Sequence, residues 1–342
     1  MKRHVRWGFA GLLAALAATV AAFGLPELRV ASADDPILMK IGTVAPEGTP
    51  WEKQLTEVKK YIERETQGKV KVKTFMGGSL GGEKQLVRRV AQNTLQAFGG
   101  STAALGSIVP EMDIFEGPYL FEDESKADRV LDSEAVKAQV RSLLEAKGLK
   151  FALWAENGYR SWFTKEKPIR SPESFRGLRM RSQESEMHHE IYRAVGADPV
   201  PIDVTNVMQS LQTGMVDGFD NTPLFAFATS WYQSAKHLIL SRHSYQAGIV
   251  VYSKRWFDGL PPDVQQVLLS VPQSMVDDGR QAVRKMDPIL IRNLQRFGIE
   301  VYTPSASEQA AFRSATSKVT AKVAAKLGAK GKKLLETIQK EL

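Results

Sequence analysis

Hydrophobic positions along this chain fall into short apolar runs of strand length and longer stretches with an apolar residue every three or four positions. Residues 37–44 form a short apolar run and read as a buried strand. Thr49-Pro50-Trp51-Glu52 then has the form of a capping box with proline at the first helical position. Trp51, Leu55, Val58 and Ile62 follow at helical spacing, and Gly68 closes the element. Residues 70–75 alternate like a strand. A glycine-rich turn at 77–82, a helix to about Leu95 and a short strand at 96–100 come next. This β-α-β-α-β order predicts a mostly parallel sheet flanked by helices, with ligand-binding loops at the carboxyl ends of its strands.

After an apolar loop at 113–121, the pattern predicts helices near 124–131 and 134–147 and a strand over 149–156. The strand runs into Asn157–Arg181, where Arg160 and Arg181 stand at the openings of two strand segments separated by a polar connector, 165–177. A second α/β block follows: strand 177–182, helix 184–195, strand 198–200, a helix capped by Asp203, strand and turn 216–221, and a helix starting at Pro223. Two β-rich runs, 237–240 and 248–253, bracket residues 241–247. A helical region over 262–297 is expected to break or kink at Pro272 and Pro288. A strand at 299–302 and a lysine-rich helical tail close the chain.

The first residues change the picture of where this chain works. Lys2, Arg3 and Arg6 precede an apolar run over 7–23, and Ala31-Ser32-Ala33 fits an A-x-A cleavage site. Residues 1–33 therefore read as a secretory signal peptide, its apolar run shorter than a membrane span needs. An uncleaved anchor is the alternative. Removing the leader takes away four basic residues and one acid and lowers the formal charge from +8 to +5. A modest positive excess suits an anionic small ligand. The lysines of the tail have no interleaved aromatics, so a solvated helical face is the reading there, and nucleic acid is not expected as a partner. With no cysteine, the chain carries no disulfide, thiol nucleophile or lipoprotein attachment site.

Candidate chemistry is sparse. His188, His189, His237 and His243 remain after the leader; adjacent His188 and His189 cannot easily chelate one metal, and Glu184 and His188, at i, i+4 spacing, read as helix decoration. The glycines of GGSLGG lack nucleotide-binding spacing, and no HExxH or GxSxG motif occurs. No cofactor or metal is implied, and the missing nucleophile–base constellation moves the weight from catalysis to binding. Arginine is the side chain best shaped to grip a carboxylate through two parallel hydrogen bonds, which makes Arg160 and Arg181 candidates. Each also has a plain structural reading, as the neutraliser of a nearby acid or as a surface strand residue.

The combined pattern NGYR…KPIRSPESFRGLRMR, then VGADPVPIDVTNVMQSLQTGMVDGFDNT, then SRHSY resembles the solute-binding proteins of TRAP transporters, the DctP-like family. GTVAPEGTPW, GGSLGGEKQ and EGPYLF stand in the expected order ahead of it. The resemblance implies an α/β, two-lobed periplasmic-binding-protein-like fold, with a long, here proline-broken, helix linking the lobes. Lobe I would hold residues 34–157 and 245–284, and lobe II residues 158–244 and 285–342. It also implies that Arg181 clamps a substrate carboxylate, that Arg160 and Asn221 orient the solute, and that Glu47, Ser101 and Thr102 contribute from the loops after two strands of the first block. Phe219-Asp220-Asn221-Thr222 stands where the family usually has Gln-Glu-Asn-Pro. Asn206-Val207-Met208 stands where Glu-x-Tyr is usual. The implied protein is a periplasmic monomer that binds a small organic acid and delivers it to a membrane permease. Its rivals are a binding protein that feeds a sensor and an exported enzyme acting on an anionic small molecule.

Overall fold

In a computed structural model, residues 35–342 are described; the expected leader lies outside them. The first block follows its hydrophobic pattern closely. Strand β1 (Ile37–Gly42) leads to helix α1 (Pro50–Glu65), strand β2 (Val70–Phe75), helix α2 (Glu83–Ala91) and strand β3 (Ala97–Ser101). Strand β1 lies parallel to both β2 and β3. The expected capping box at α1 takes another form. Thr49 Oγ1 turns back to donate to the Pro46 carbonyl, and the Glu52 carboxylate accepts from the Gly48 amide. Helices α3 (Glu124–Asp132) and α4 (Glu134–Glu145) complete this block.

The expected parallel sheet holds within each block and fails between them. Strand β4 (Leu149–Thr164) runs for 16 residues. Beyond it lie β5 (Arg179–Ser182), α5 (Glu186–Ala194), β6 (Asp198–Pro201), β7 (Gly218–Asn221), α6 (Pro223–Ala228) and the 17-residue strand β8 (His237–Ser253). Strands β4 and β8 pair antiparallel along nearly their whole length. Strand β3 pairs antiparallel with β8, and β7 with β4. Strands β5, β6 and β7 are mutually parallel neighbours in the order β7-β5-β6. One mixed sheet results, with β4 and β8 crossing from one block to the other.

Three departures from the sequence pattern follow from this. Residues 241–247 do not interrupt β8, because Ser241, His243, Ser244 and Gln246 are buried with partners rather than exposed. Arg160 lies well inside β4 rather than at a strand opening. The strand continues through a bulge at Gly158, whose φ of +98° is readily open only to glycine. Pro272 does end a helix, α7 (Pro262–Leu269), but Pro288 sits inside the unbroken 24-residue α8 (Gln273–Arg296). Pro288 faces solvent, where water can satisfy the carbonyl left without an amide partner.

Strand β9 (Glu300–Tyr302) pairs parallel with β8, and the chain ends in helices α9 (Ala306–Thr316), α10 (Val319–Lys326) and α11 (Gly328–Glu341). One large core fills the first block, and two smaller ones lie against the second. Leu334, Leu335 and Ile338 of α11 belong to the first core, and Thr337 Oγ1 accepts from Gln139 of α4. The last helix thus packs on the first block, whereas the sequence reading grouped residues 285–342 with the second.

Candidate functional site

The ends of β1, β3 and β5, the start of α2 and the turn before α6 converge on one pocket of about 390 Å³, open in part to solvent. Its lining includes Thr43, Trp51, Glu83, Ser101, Arg181, Gln183, Asn221 and Gln246. A second hollow of about 300 Å³ adjoins it and shares Glu83, Arg181, Gln183 and Val204 with it. The pocket's walls already touch across the two blocks. Lys84 and Glu184 form an ion pair at 3.3 Å, and Gln183 Nε2 donates to Ser101 Oγ at 3.0 Å. Asp203 lies so close to Gly82 that a Cβ there would meet its Oδ2 at 2.0 Å, and any larger residue would have to displace the Asp203 side chain.

Arg181 is 2% exposed. Its Nε and Nη2 both donate to the Ile202 carbonyl, at 3.1 and 2.9 Å, and its guanidinium lies 5.3 Å from the Trp231 ring. Among the described residues no carboxylate forms an ion pair with it, and Nη1 has no protein acceptor. Burial, with the charge of Arg160 nearby, pushes its pKa down to about 10. The group is still charged at neutral pH; Asp220 and Glu83 act on it only at longer range and neither pairs with it among the described residues, so an anion entering the pocket would gain a desolvated partner.

Arg160 is placed differently. It is 1% exposed and does not line the pocket. Its Nε reaches Asp220 Oδ2 at 2.6 Å and its Nη2 donates to the Asp220 carbonyl at 2.7 Å. Burial alone would raise the Asp220 carboxyl, yet Arg160 holds it well below the usual range. Tyr192 Oη donates to the same carboxylate at 2.8 Å. His243, stacked on Trp162 at 4.0 Å, sits 3.4 Å from it, and burial pushes this imidazole down to about 4.

Of the remaining expected residues, Ser101 and Asn221 line the pocket. The Ser101 hydroxyl donates to Glu83 Oε2, and Asn221 Oδ1 accepts from the Thr222 amide. Thr102 is fully buried behind the wall and donates to Glu116. Glu47 is exposed on the loop after β1 and is not part of the lining.

Sequence reasoning passed over Glu83, Gln183 and Gln246. Burial raises the Glu83 carboxyl above its ordinary pKa, although Ser101 donates to it twice, through its amide and its hydroxyl. Gln183 stands two residues after Arg181, so strand alternation puts both side chains on one face, a signal present in the sequence. Gln246 donates to Gln183 Oε1 at 2.9 Å and to Glu116 Oε2 at 3.1 Å, and Glu116 in turn lies 2.8 Å from His188 Nε2. His188, which looked like helix decoration paired with Glu184, is thus one link in a buried polar chain from the pocket toward Asp220.

Comparison with known proteins bears directly on this arrangement. Residues 41–327 match the family model described as bacterial extracellular solute-binding protein, family 7. A solute-binding protein of Verminephrobacter eiseniae is 31% identical over 242 residues, covering 71% of this chain and 72% of that protein. The 2,3-diketo-L-gulonate-binding periplasmic protein YiaO of Escherichia coli is 27% identical over 81% of this chain and 84% of its own length. Among solved structures, the sugar acid binding protein of Advenella mimigardefordensis in complex with galactonate superposes with a TM-score of 0.84 at 26% identity, over 90% of this chain and 99% of that one. A periplasmic protein of Polaromonas bound to D-erythronate gives 0.82 at 28% identity, over 89% and 98%.

Proposed function

The chain belongs to bacterial extracellular solute-binding protein family 7, the two-lobed binding proteins of TRAP transporters, and from that premise we propose that it captures a small organic acid bearing one carboxylate and several hydroxyls. One observation carries this reading: Arg181, a buried guanidinium in the pocket wall, has no carboxylate of its own. A ligand carboxylate supplies the missing charge through charge-assisted hydrogen bonds. The second buried arginine, Arg160, is already neutralised by Asp220, so the pocket offers one cation, which favours a monocarboxylate over a dicarboxylate. Glu83, Ser101, Gln183, Asn221 and Gln246 present acceptors and donors suited to hydroxyl groups, and Trp51 and Phe225 supply apolar faces. The galactonate- and erythronate-bound relatives hold ligands of this class.

On this reading the leader is cleaved and the protein works as a periplasmic monomer with no covalent chemistry and no nucleic-acid partner. The lobes take residues 34–157 with 245–284, and residues 158–244 with the segment from 285 on; α11 docks back on lobe I. They close over the solute by hinge motion about β4 and β8, water leaves, and the contacts to Arg181 strengthen. Arg160 acts on the ligand from behind, by holding Asp220 and the β7 turn that carries Asn221. The loaded protein then delivers its solute to a membrane permease.

The test is a thermal-shift panel on the exported protein, unfolded and refolded to strip copurified ligand, against aldonates, uronates, dicarboxylates, amino acids and neutral sugars. A bound solute raises the melting temperature by mass action. Hydroxylated monocarboxylates should give the largest shifts. A response confined to neutral sugars would remove the basis for the arginine clamp.

A further inference from the structure

The short segment 222–234 has two sides, and only one of them is spent on the pocket. Phe225 of α6 lines the pocket, and Trp231 lies 5.4 Å from it beneath Arg181. Phe227 and Tyr232 point the other way, stacked on each other at 5.2 Å. Phe297, at the end of α8, packs against both, at 6.0 and 5.4 Å between ring centres, and is nevertheless 62% exposed. A charged stripe on the outer face of α8 lies beside it, about 100° further round the helix axis. Lys285, Ile289, Arg292 and Arg296 are spaced four, three and four residues apart, which puts them on one side of the helix. All four are exposed, Ile289 at 46%. None of the three cations has an ion pair or hydrogen-bond partner among the described residues, whereas Arg280 and Arg284, on the inner face of the same helix, are both held by acids.

We propose that this face of α8, with Phe297 as its anchor and Lys285, Arg292 and Arg296 as its charged rim, is the docking surface for the membrane permease, and that the permease meets it with an apolar notch bordered by carboxylates. The proposal rests on the solute-binding reading above. The composition is that of a protein–protein contact, one aromatic anchor beside arginines. Two exposed apolar side chains, Ile289 and Phe297, are too few for insertion into a lipid surface, which takes a whole apolar helix face. The location supplies the coupling. Leu224 of α6 packs on Val283 and Leu290 of α8, and the same six-residue helix presents Phe225 to the solute. A partner seated on Phe297 and Phe227 therefore grips the outer side of the segment whose inner side holds the occupied Arg181.

The test compares the purified protein with its Phe297→Ser and Arg292→Glu/Arg296→Glu variants, all surface changes outside the pocket. Binding to the cognate permease in nanodiscs, ligand affinity, binding to phosphatidylglycerol vesicles and self-association are measured on each. The expected result is permease affinity lowered at least tenfold in both variants and weakened further by salt in the wild type, with ligand affinity unchanged. Unaltered permease affinity overturns the proposal. So does an effect seen only on vesicles or only on self-association, which would assign the face to lipid or to a second copy. Because ligand affinity is measured on the same samples, failure of docking is separable from failure of the solute-binding reading.

Discussion

Arg160 and Arg181 are both buried, near enough to influence each other's charge, and embedded in the same sheet, yet their surroundings give them opposite roles. At the centre of the sheet, where β4, β7 and β8 meet, Arg160 has a carboxylate at 2.6 Å and a main-chain carbonyl at 2.7 Å. At the end of β5, Arg181 has one main-chain carbonyl and an open side facing the pocket. A buried charge with a partner is part of the structure, and a buried charge without one is a site. Residue type does not separate the two cases; the presence of a paired carboxylate does.

The sharpest break of this contrast is Arg160→Ala. It strands Asp220 as an uncompensated buried carboxylate and should cost about 3–5 kcal/mol of stability, seen as a large fall in chemical-denaturation midpoint. Removing both partners, as Arg160→Met with Asp220→Leu, should restore part of that loss, since Tyr192 then loses its acceptor; a double variant as unstable as the single one would show that Asp220's charge is not what Arg160 compensates. Arg181→Met should behave in reverse. Stability stays level or rises, while affinity for an acidic solute falls by about 1.5–3 kcal/mol, the scale of hydrogen bonds to a charged group.

Acids show the same contrast, because Asp220 is held below its ordinary pKa and Asp113 is pushed up to about 7, mainly by burial. Asp113 faces Ser185 and the amides that open α5, and its Oδ1 lacks a hydrogen-bond partner. With its pKa raised on folding from the ordinary 3.8, the folded state holds the proton more tightly, so stability falls as pH rises from about 4 to about 7. The slope from this one group is at most about 1.4 kcal/mol per pH unit. Asp113→Asn should flatten that part of a melting-temperature profile; an unchanged slope would place the titration elsewhere. Smallest of all, Ser101→Ala should lower affinity for hydroxylated acids by about 1 kcal/mol, the net value of one hydrogen bond, and leave an acid without hydroxyls little affected.

Most elements were legible because apolar periodicity reports burial, and burial here is largely apolar: the β1-to-β3 block and the break at Pro272 follow directly. The misreadings cluster where polar residues are buried in satisfied networks. Residues 241–247 looked like a gap between two β-rich runs because Ser241, His243 and Ser244 are polar, yet all three are fully buried within β8. The residue pattern singled out Arg160 and Arg181 as a pair, and only the family resemblance gave the carboxylate to Arg181, since Asp220 reaches Arg160 from a strand 60 residues away. Gln183 was legible by strand alternation from Arg181. Glu83 was not, because its partner Ser101 and the pocket between them arise only when β3 and α2 are packed side by side.

The most direct test of the central claim is calorimetric titration of a hydroxylated acid and its uncharged alcohol counterpart into the wild-type protein and into Arg181→Met. The wild type should bind the acid far more tightly than the alcohol, and the variant should lose most of that preference while keeping its weak affinity for the alcohol. A preference for the acid that survives Arg181→Met intact would contradict that claim and would move the carboxylate to another part of the cleft.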